Sequence, residues 1–157
     1  MGLSKLGLVP YGEIIDTDET CPTLTYNVIG RHQSKIVRTR IASTQSPWLA
    51  KRSVGDIVNV PISHGEGRFL CAPELVAQLA ERGQIATQYV DLSGTPTMDV
   101  DFNPNGSVWA IEGITSPDGR VFGKMGHAER IGQNLYKNVP GDYDLHLFEA
   151  AKEYFNI

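Results

Sequence analysis

The chain has 157 residues, of which 41% are hydrophobic and 20% are charged. These values suit one compact globular domain, and we predict a single domain over residues 1–157. The formal net charge of −4 argues against a general attraction to nucleic acid or to anionic lipid. No apolar run approaches the roughly 20 residues that span a bilayer. We therefore expect neither nucleic acid nor a membrane as a partner.

The N-terminus and the cysteine count bear on the cellular compartment. Met1–Pro10 lacks the apolar length and the cleavage-like site of a signal peptide. Two cysteines, Cys21 and Cys71, are too few for a disulfide framework or a zinc cluster, and we interpret them as reduced thiols. These features predict a cytoplasmic protein.

The first half of the chain predicts one helix and three strands. Residues 1–8 carry Leu3 and Leu6 at helical spacing, and Gly7 is placed to end that helix. Short runs rich in β-branched or aromatic residues predict strands at Leu24–Asn27, Lys35–Ile41 and Ile57–Ser63. Pro61 lies within the last of these, which favours a sheet edge or a bulge.

The second half predicts two amphipathic helices and three further strands. The helices cover Pro73–Arg82 and Leu147–Phe155. The strands cover Ala86–Val90, Val108–Ile114 and Val121–Met125. Ser116–Gly119 joins the last two as a hairpin. Because strands outnumber helices, the residues alone predict an α/β or α+β domain.

His127 and Glu129 form the pattern that is most informative about chemistry. The pair follows a predicted strand, and alternation along an extended backbone places both side chains on one side. A carboxylate there can fix the tautomer of the imidazole, as the base and its orienting group do in a nucleophilic triad. The alternative is a surface contact in which Glu129 pairs with Arg130 and has no catalytic role.

A glycine-rich turn follows the strand that ends at Ser63. Ser63, His64 and Glu66 supply polar groups, while Gly65 lets ligand atoms approach main-chain N–H groups. The alternative is an ordinary solvated turn, which the composition alone favours. Arg31, in a separate turn, can hold a carboxylate with its guanidinium, although the residues alone favour a solvated arginine.

Neither cysteine has a sequence setting typical of a nucleophile. Cys21 precedes a proline and lacks a Gly-x-Cys-x-Gly elbow. Cys71 follows two apolar residues and is interpreted as a small packing group. A complete small hydrolase that uses Cys71 stays open as an alternative.

Several of these segments together resemble the glutaminase domain of phosphoribosylformylglycinamidine synthase, a class I glutamine amidotransferase. The resemblance runs in order along residues 1–157. The matching segments are Pro61–Phe69, Gln88–Asp91, Asn103–Ser107 and Ile111–Arg130. The chain departs from the family pattern at Ile29 and His32, and at Ala128, where His-Pro-Glu is more usual.

The resemblance implies an α/β fold, the flavodoxin-like class I glutamine amidotransferase domain, with a mostly parallel central sheet and flanking helices. It also implies a Cys-His-Glu triad, in which His127 is the general base and Glu129 orients it. The residues that correspond to the glutamine-binding surface are Arg31, Ser63, His64 and Gly65.

One part of the family pattern has no counterpart in the chain. The family's cysteine lies in a Gly-x-Cys-Asn-Gly elbow before a helix that resembles residues 1–8, so we expect a C-terminal fragment that lacks the first strands and the elbow. Such a fragment is expected to be inactive alone. The implied partners are glutamine and the synthase portion of the same enzyme. That portion is expected to hold ATP and Mg²⁺, so we predict no cofactor or metal in residues 1–157.

Two further expectations concern what such a chain does by itself. An open sheet edge predicts self-association. A rival function of another class is a non-catalytic binding or scaffold module that uses an amidotransferase-like fold to dock to a synthase. The pairing of His127-x-Glu129 with a Ser-His-Gly segment favours descent from a catalyst and leaves present catalysis open.

Overall fold

Within residues 2–156, which a computed structural model describes, the chain forms a five-stranded sheet, a two-stranded sheet and four short helices. The helices are α1 (Gly2–Lys5), α2 (Leu8–Tyr11), α3 (Pro73–Glu81) and α4 (Leu147–Phe155). The strands are β1 (Thr23–Thr25), β2 (Gln33–Ile41), β3 (Ile57–His64), β4 (Arg68–Leu70), β5 (Ile85–Tyr89), β6 (Ile111–Thr115) and β7 (Phe122–Lys124). Short 3₁₀ turns cover Pro47–Leu49 and Val108–Ala110.

The strand order in the larger sheet is β3-β2-β5-β6-β7, and β1 pairs with β4 in the smaller one. Every pair among these described strands is antiparallel. The implied mostly parallel arrangement therefore does not apply to these strands. A parallel pair needs a crossover connection, whereas α3 leads from the small sheet into the large one and a tight hairpin joins β6 to β7.

Most of the predicted elements are present, with shifts of a few residues at their ends. α1 ends at Lys5, and Gly7 follows with a φ of 79°, which fits its predicted role. Met1, the first residue of the predicted helix, lies outside the described residues. Pro61 lies on β3, which is an edge strand of the larger sheet, as predicted.

One predicted strand begins later than the sequence indicated. β6 starts at Ile111 and not at Val108, because Trp109 and Ala110 have φ values of 52° and 56°. These left-handed values are incompatible with a strand. The short strand β4 was not predicted, since three residues carry too little pattern to be recognised.

The centre of the larger sheet is buried on both faces. All five residues of β5 and all five of β6 are buried. One core cluster packs Val76 and Leu79 of α3 against both of these strands. Polar side chains in such strands need partners inside the protein, and Thr87 and Glu112 find theirs near the candidate site. No helix in the described part is both long and apolar enough to cross a membrane.

Candidate active site

His127 lies in a turn that follows β7. The strand ends at Lys124, and the N–H of Arg130 donates to the carbonyl oxygen of His127 at 3.2 Å, which closes a four-residue turn. The pairing with Glu129 was predicted from alternation along a strand, and that reason is wrong. The turn brings the Glu129 side chain back towards His127 instead.

The imidazole of His127 and the carboxylate of Glu129 are hydrogen-bonded. Nδ1 of His127 lies 2.8 Å from Oε1 of Glu129. Because a carboxylate only accepts, this contact assigns a proton to Nδ1 and leaves Nε2 as the nitrogen that can accept one. Nε of Arg130 lies 3.7 Å from the same carboxylate oxygen, so the arginine joins the contact without displacing the histidine.

The carboxylate of Glu129 is held in its charged form. Burial raises its pKa, but hydrogen bonds from its own backbone N–H and from His127, together with the charges of His127 and Arg130, bring the pKa below its ordinary value. A carboxylate that stays ionised in this position can stabilise an imidazolium. The pair therefore has the electrostatics of a base and its orienting group.

The backbone of this turn is attached to β3. The N–H of His127 donates to the carbonyl oxygen of Pro61 at 2.8 Å. Ser63 and His64 follow at the end of the same strand. Two segments that the sequence analysis treated separately, the His-x-Glu pair and the glycine-rich turn, therefore meet at one corner of the sheet.

His64 is half-buried and neutral at physiological pH. Burial is the main cause that lowers its pKa, and the nearby imidazoles of His127 and His32 lower it further. The hydrogen bond to Asn105 and the charge of Glu112 oppose this shift without reversing it. Nε2 of His64 lies 3.0 Å from the Asn105 side-chain oxygen, so His64 donates there.

The turn at residues 103–107 is hydrogen-bonded to the glycine-rich segment. Its side chains Asn103, Asn105 and Ser107 are fully buried. The amide nitrogen of Asn105 donates to the Tyr89 hydroxyl at 2.8 Å, and the Ser107 hydroxyl donates to the carbonyl oxygen of Gly67 at 3.2 Å. In the sequence, residues 103–107 stood out only as a segment that matches the family, and the one signal for this link was small polar residues clustered around a glycine.

Asn27 has a linking role that was not predicted from the sequence. It is 2% exposed, and its amide nitrogen donates to the carbonyl oxygens of Arg31 at 3.0 Å and His64 at 2.8 Å. Its side-chain oxygen accepts the N–H of Gly67 at 3.0 Å. One buried amide thus ties the turn that carries Arg31 to the end of β3. From the sequence, Asn27 was predicted only as the last residue of a strand.

The predicted substrate-binding residues are accessible. Arg31 is exposed, and among residues 2–156 its guanidinium forms no hydrogen bond or ion pair. The Ser63 hydroxyl lies 3.3 Å from Nε2 of His32. The nearest atoms to an added Cβ at Gly65 are Cα and N of His32 at 4.0 Å, an ordinary contact distance, so a methyl group would fit there.

The two cysteines are free thiols at partly buried positions. Burial raises the pKa of the Tyr11 hydroxyl, and the nearby sulfurs of Cys21 and Cys71 raise it further. Burial raises the pKa of Cys71 to about 11, which leaves little thiolate at neutral pH. In the described part of the chain, no hydrogen bond joins either sulfur to the imidazole of His127.

An open groove of about 620 Å³ runs beside β7 and is lined at one end by His127 and Glu129. Most of its wall is apolar and includes Leu3, Phe122 and Phe148. The predicted glutamine-binding residues do not line this groove, so the groove and the glutamine-binding surface are separate. Among residues 2–156, no group of three or more His, Cys, Asp or Glu side chains is placed to hold a metal ion.

The fold and the site together define a class of protein. The chain is an α/β domain with an imidazole fixed by a carboxylate beside a glycine-rich strand end and an exposed guanidinium. Such a combination can move protons next to a bound substrate that carries a carboxylate.

The chain belongs to the family of CobB/CobQ-like glutamine amidotransferase domains, whose model matches residues 2–155. It is 42% identical over 115 residues to the phosphoribosylformylglycinamidine synthase subunit PurQ of Thermomicrobium roseum, covering 73% of this chain and 47% of that protein. It is 34% identical over 139 residues to the PurQ of Aquifex aeolicus, covering 88% of this chain and 56% of that protein. The chain thus spans about half the length of these curated relatives.

A solved structure of PurLQS from Thermotoga maritima has the same fold. Its superposition gives a TM-score of 0.68 at 23% identity and covers 98% of this chain and 57% of that one. This likeness, with the family match, confirms the predicted α/β amidotransferase fold.

Proposed function

We propose that this chain forms part of the glutamine-hydrolysing domain of a phosphoribosylformylglycinamidine synthase, the ATP-dependent C–N ligase of purine biosynthesis. The family match over residues 2–155 and the similarity to two PurQ subunits support this proposal. The single observation that carries it is the 2.8 Å contact between Nδ1 of His127 and Glu129, which leaves Nε2 as a proton acceptor.

In the proposed reaction, His127 moves protons for a thiolate that attacks the glutamine carboxamide. The new S–C bond gives a tetrahedral adduct, and the imidazolium of His127 donates its Nε2 proton to the departing ammonia as the C–N bond breaks. His127 then accepts a proton from the water that attacks the thioester, which releases glutamate and regenerates the thiolate. Glu129 holds the Nδ1 proton and stabilises the imidazolium throughout.

The glutamine is proposed to bind at the end of β3. The exposed Arg31 guanidinium suits its α-carboxylate, and Gly65, without a side chain, lets the substrate approach the main chain. Ser63 and His64 supply a hydroxyl and a neutral imidazole beside that space. Because Asn27 and the turn at residues 103–107 hold this surface rigidly, we expect it to be formed before substrate arrives.

The attacking thiol is proposed to come from outside residues 1–157. With a pKa of about 11, Cys71 is a poor nucleophile at neutral pH, and no hydrogen bond links it to His127 in the described part of the chain. The 157-residue chain alone is accordingly expected to release no ammonia from glutamine. The ammonia is proposed to pass to the synthase portion, which is also the proposed site of ATP and Mg²⁺.

A diazoketone analogue of glutamine tests where the nucleophile lies, because it alkylates the thiol that attacks the substrate. The intact protein that contains this chain would be labelled, digested and analysed by mass spectrometry. We expect the label on a cysteine outside residues 1–157, with Cys21 and Cys71 unmodified. A label on Cys21 or Cys71 would contradict the proposal. A complete lack of labelling would favour the non-catalytic scaffold function.

A further inference from the structure

Glu112 is a buried carboxylate that the proposed reaction does not use. Its side chain on β6 has no exposed surface. Nζ of Lys124 lies 3.0 Å from Oε1, the N–H of Gly126 donates to Oε1 at 2.5 Å, and the Thr87 hydroxyl donates to Oε2 at 2.5 Å. A buried charge is tolerated only when it is paired and hydrogen-bonded in this way.

These contacts act on the segment that leads into the His127 turn. Gly126 directly precedes His127, and the N–H of Met125 donates to the backbone carbonyl of Glu112 at 3.1 Å. Nζ of Lys124 also donates to the carbonyl oxygen of Gly126 at 3.1 Å. One residue of β6 therefore holds the two residues before His127, while β3 holds His127 itself through Pro61.

The packing around Gly126 leaves no room for a side chain. A Cβ added at Gly126 would lie 2.4 Å from the Val60 side chain and 2.9 Å from Oε1 of Glu112. Gly126 is thus pressed between β3 and the buried carboxylate. The direction in which the turn leaves β7 follows from that packing.

We propose that Glu112 is the positioning residue of the candidate site: with Lys124 and Thr87 it clamps Gly126 and thereby fixes the His127 turn against β3. Its expected effect on the rate of glutamine hydrolysis rests on the proposed function. Its effect on the position of the His127 turn does not. Glu112 touches neither the proposed substrate surface nor the imidazole in the described contacts, so it acts through Gly126.

Burial raises the pKa of Glu112, but the Lys124 ammonium and the donors from Thr87 and Gly126 outweigh it and hold the pKa below the ordinary value. The carboxylate is therefore ionised at neutral pH, and its hydrogen bonds are of the stronger, charge-assisted kind. Removing the carboxylate should loosen the turn more than the average loss of a neutral hydrogen bond would.

Two measurements on the intact protein test this inference: amide hydrogen exchange of residues 125–130 and glutaminase kinetics. Glu112→Ala is expected to speed exchange in residues 125–130 by roughly tenfold relative to residues 76–81 of α3, which take no part in the contacts of Glu112. It is also expected to lower kcat with KM unchanged. Glu112→Gln keeps an oxygen that can accept the Gly126 N–H. Its exchange rate in residues 125–130 and its kcat should therefore lie much closer to the wild-type values than those of Glu112→Ala.

Asp142→Asn is the matched control, because Asp142 also pairs with a partly buried cation, with 2.7 Å between its Oδ2 and Arg52, but lies outside the site. It should leave exchange in residues 125–130 unchanged. Thr87→Val removes one support of Glu112 with little change of shape, so it serves if Glu112→Ala does not fold. It should speed the same exchange to a smaller extent.

Unchanged protection of residues 125–130 in Glu112→Ala, or in Thr87→Val if the former does not fold, would overturn the inference. Equal acceleration in residues 76–81 of α3 would do so too, since it would mean general destabilisation. If the intact protein hydrolyses no glutamine, the proposed function fails, and the exchange result still decides the role of Glu112. If it hydrolyses glutamine but exchange is unchanged, only the inference fails.

Discussion

At the scale of single residues, the packing of the candidate site requires glycine as well as charged side chains. Gly67 is the tightest of these: a Cβ there would lie 2.1 Å from Nε2 of His64 and 2.8 Å from the amide nitrogen of Asn105. Gly65, two residues earlier, has no neighbour closer than 4.0 Å to the same added atom. The sequence drew attention to Gly65 as a place of close approach, whereas the close packing occurs at Gly67.

This difference predicts that Gly67→Ala destabilises the protein and Gly65→Ala does not. The added methyl group at Gly67 has to push the His64 ring away from Asn105, which overpacks a buried contact at a typical cost of about 1–3 kcal/mol. Urea unfolding followed by circular dichroism measures both variants against the wild type. Equal midpoints for the two alanine variants would show that the packing around His64 is looser than these distances indicate.

At the scale of elements, sequence periodicity predicted the regular segments well. Helix α4 has the predicted bounds, and α3, β2 and β3 differ from theirs by one or two residues. These segments are long enough for their spacing of apolar residues to be recognised. Val108–Ala110 was predicted as strand because its side chains suit one, but Trp109 and Ala110 have a left-handed backbone that side-chain type does not reveal.

The site itself was only partly visible in the sequence. His127 and Glu129 are two residues apart, so their pairing was predictable from local geometry even though the turn that makes it was not. Asn27 and Asn105 reach His64 across 37 and 41 residues of sequence. Such contacts arise from tertiary packing, and one sequence without a fold gives no means to predict them.

The edge strand β7 supports a prediction about association. β7 lies at the end of the larger sheet beside the apolar groove, whose rim carries Phe148 with 71% of its surface exposed. Edge strands next to exposed apolar surface promote pairing between chains. The isolated 157-residue chain is therefore expected to self-associate as its concentration rises, which light scattering measures.

Two lysine variants locate the surface responsible for this association. Phe148→Lys should reduce it, because a charge at the rim of the groove opposes burial of that surface. Leu92→Lys changes a side chain of similar exposure, 74%, that lies outside the groove, and should leave association unchanged. A monomer at all concentrations, or an equal response to both variants, would contradict the assignment.

At the scale of the whole molecule, the chain contributes one part of the proposed catalytic apparatus. It spans about half the length of its curated relatives, and its described residues supply a base, an orienting carboxylate and a glutamine-binding surface in this proposal. In this proposal the attacking thiol comes from outside residues 1–157. The central claim is that Nε2 of His127 transfers the protons of glutamine hydrolysis.

The most direct test of that claim is the rate of ammonia release from glutamine by the intact protein with His127→Asn. We expect kcat to fall by roughly 10²–10⁴-fold, the usual contribution of a general base. His146→Asn is the matched control, because Nδ1 of His146 also contacts a glutamate, Glu149, at 3.1 Å, but its described side-chain contacts include neither His127 nor Glu129; its rate should equal that of the wild type. A wild-type rate for His127→Asn, or an equal loss in both variants, would contradict the account.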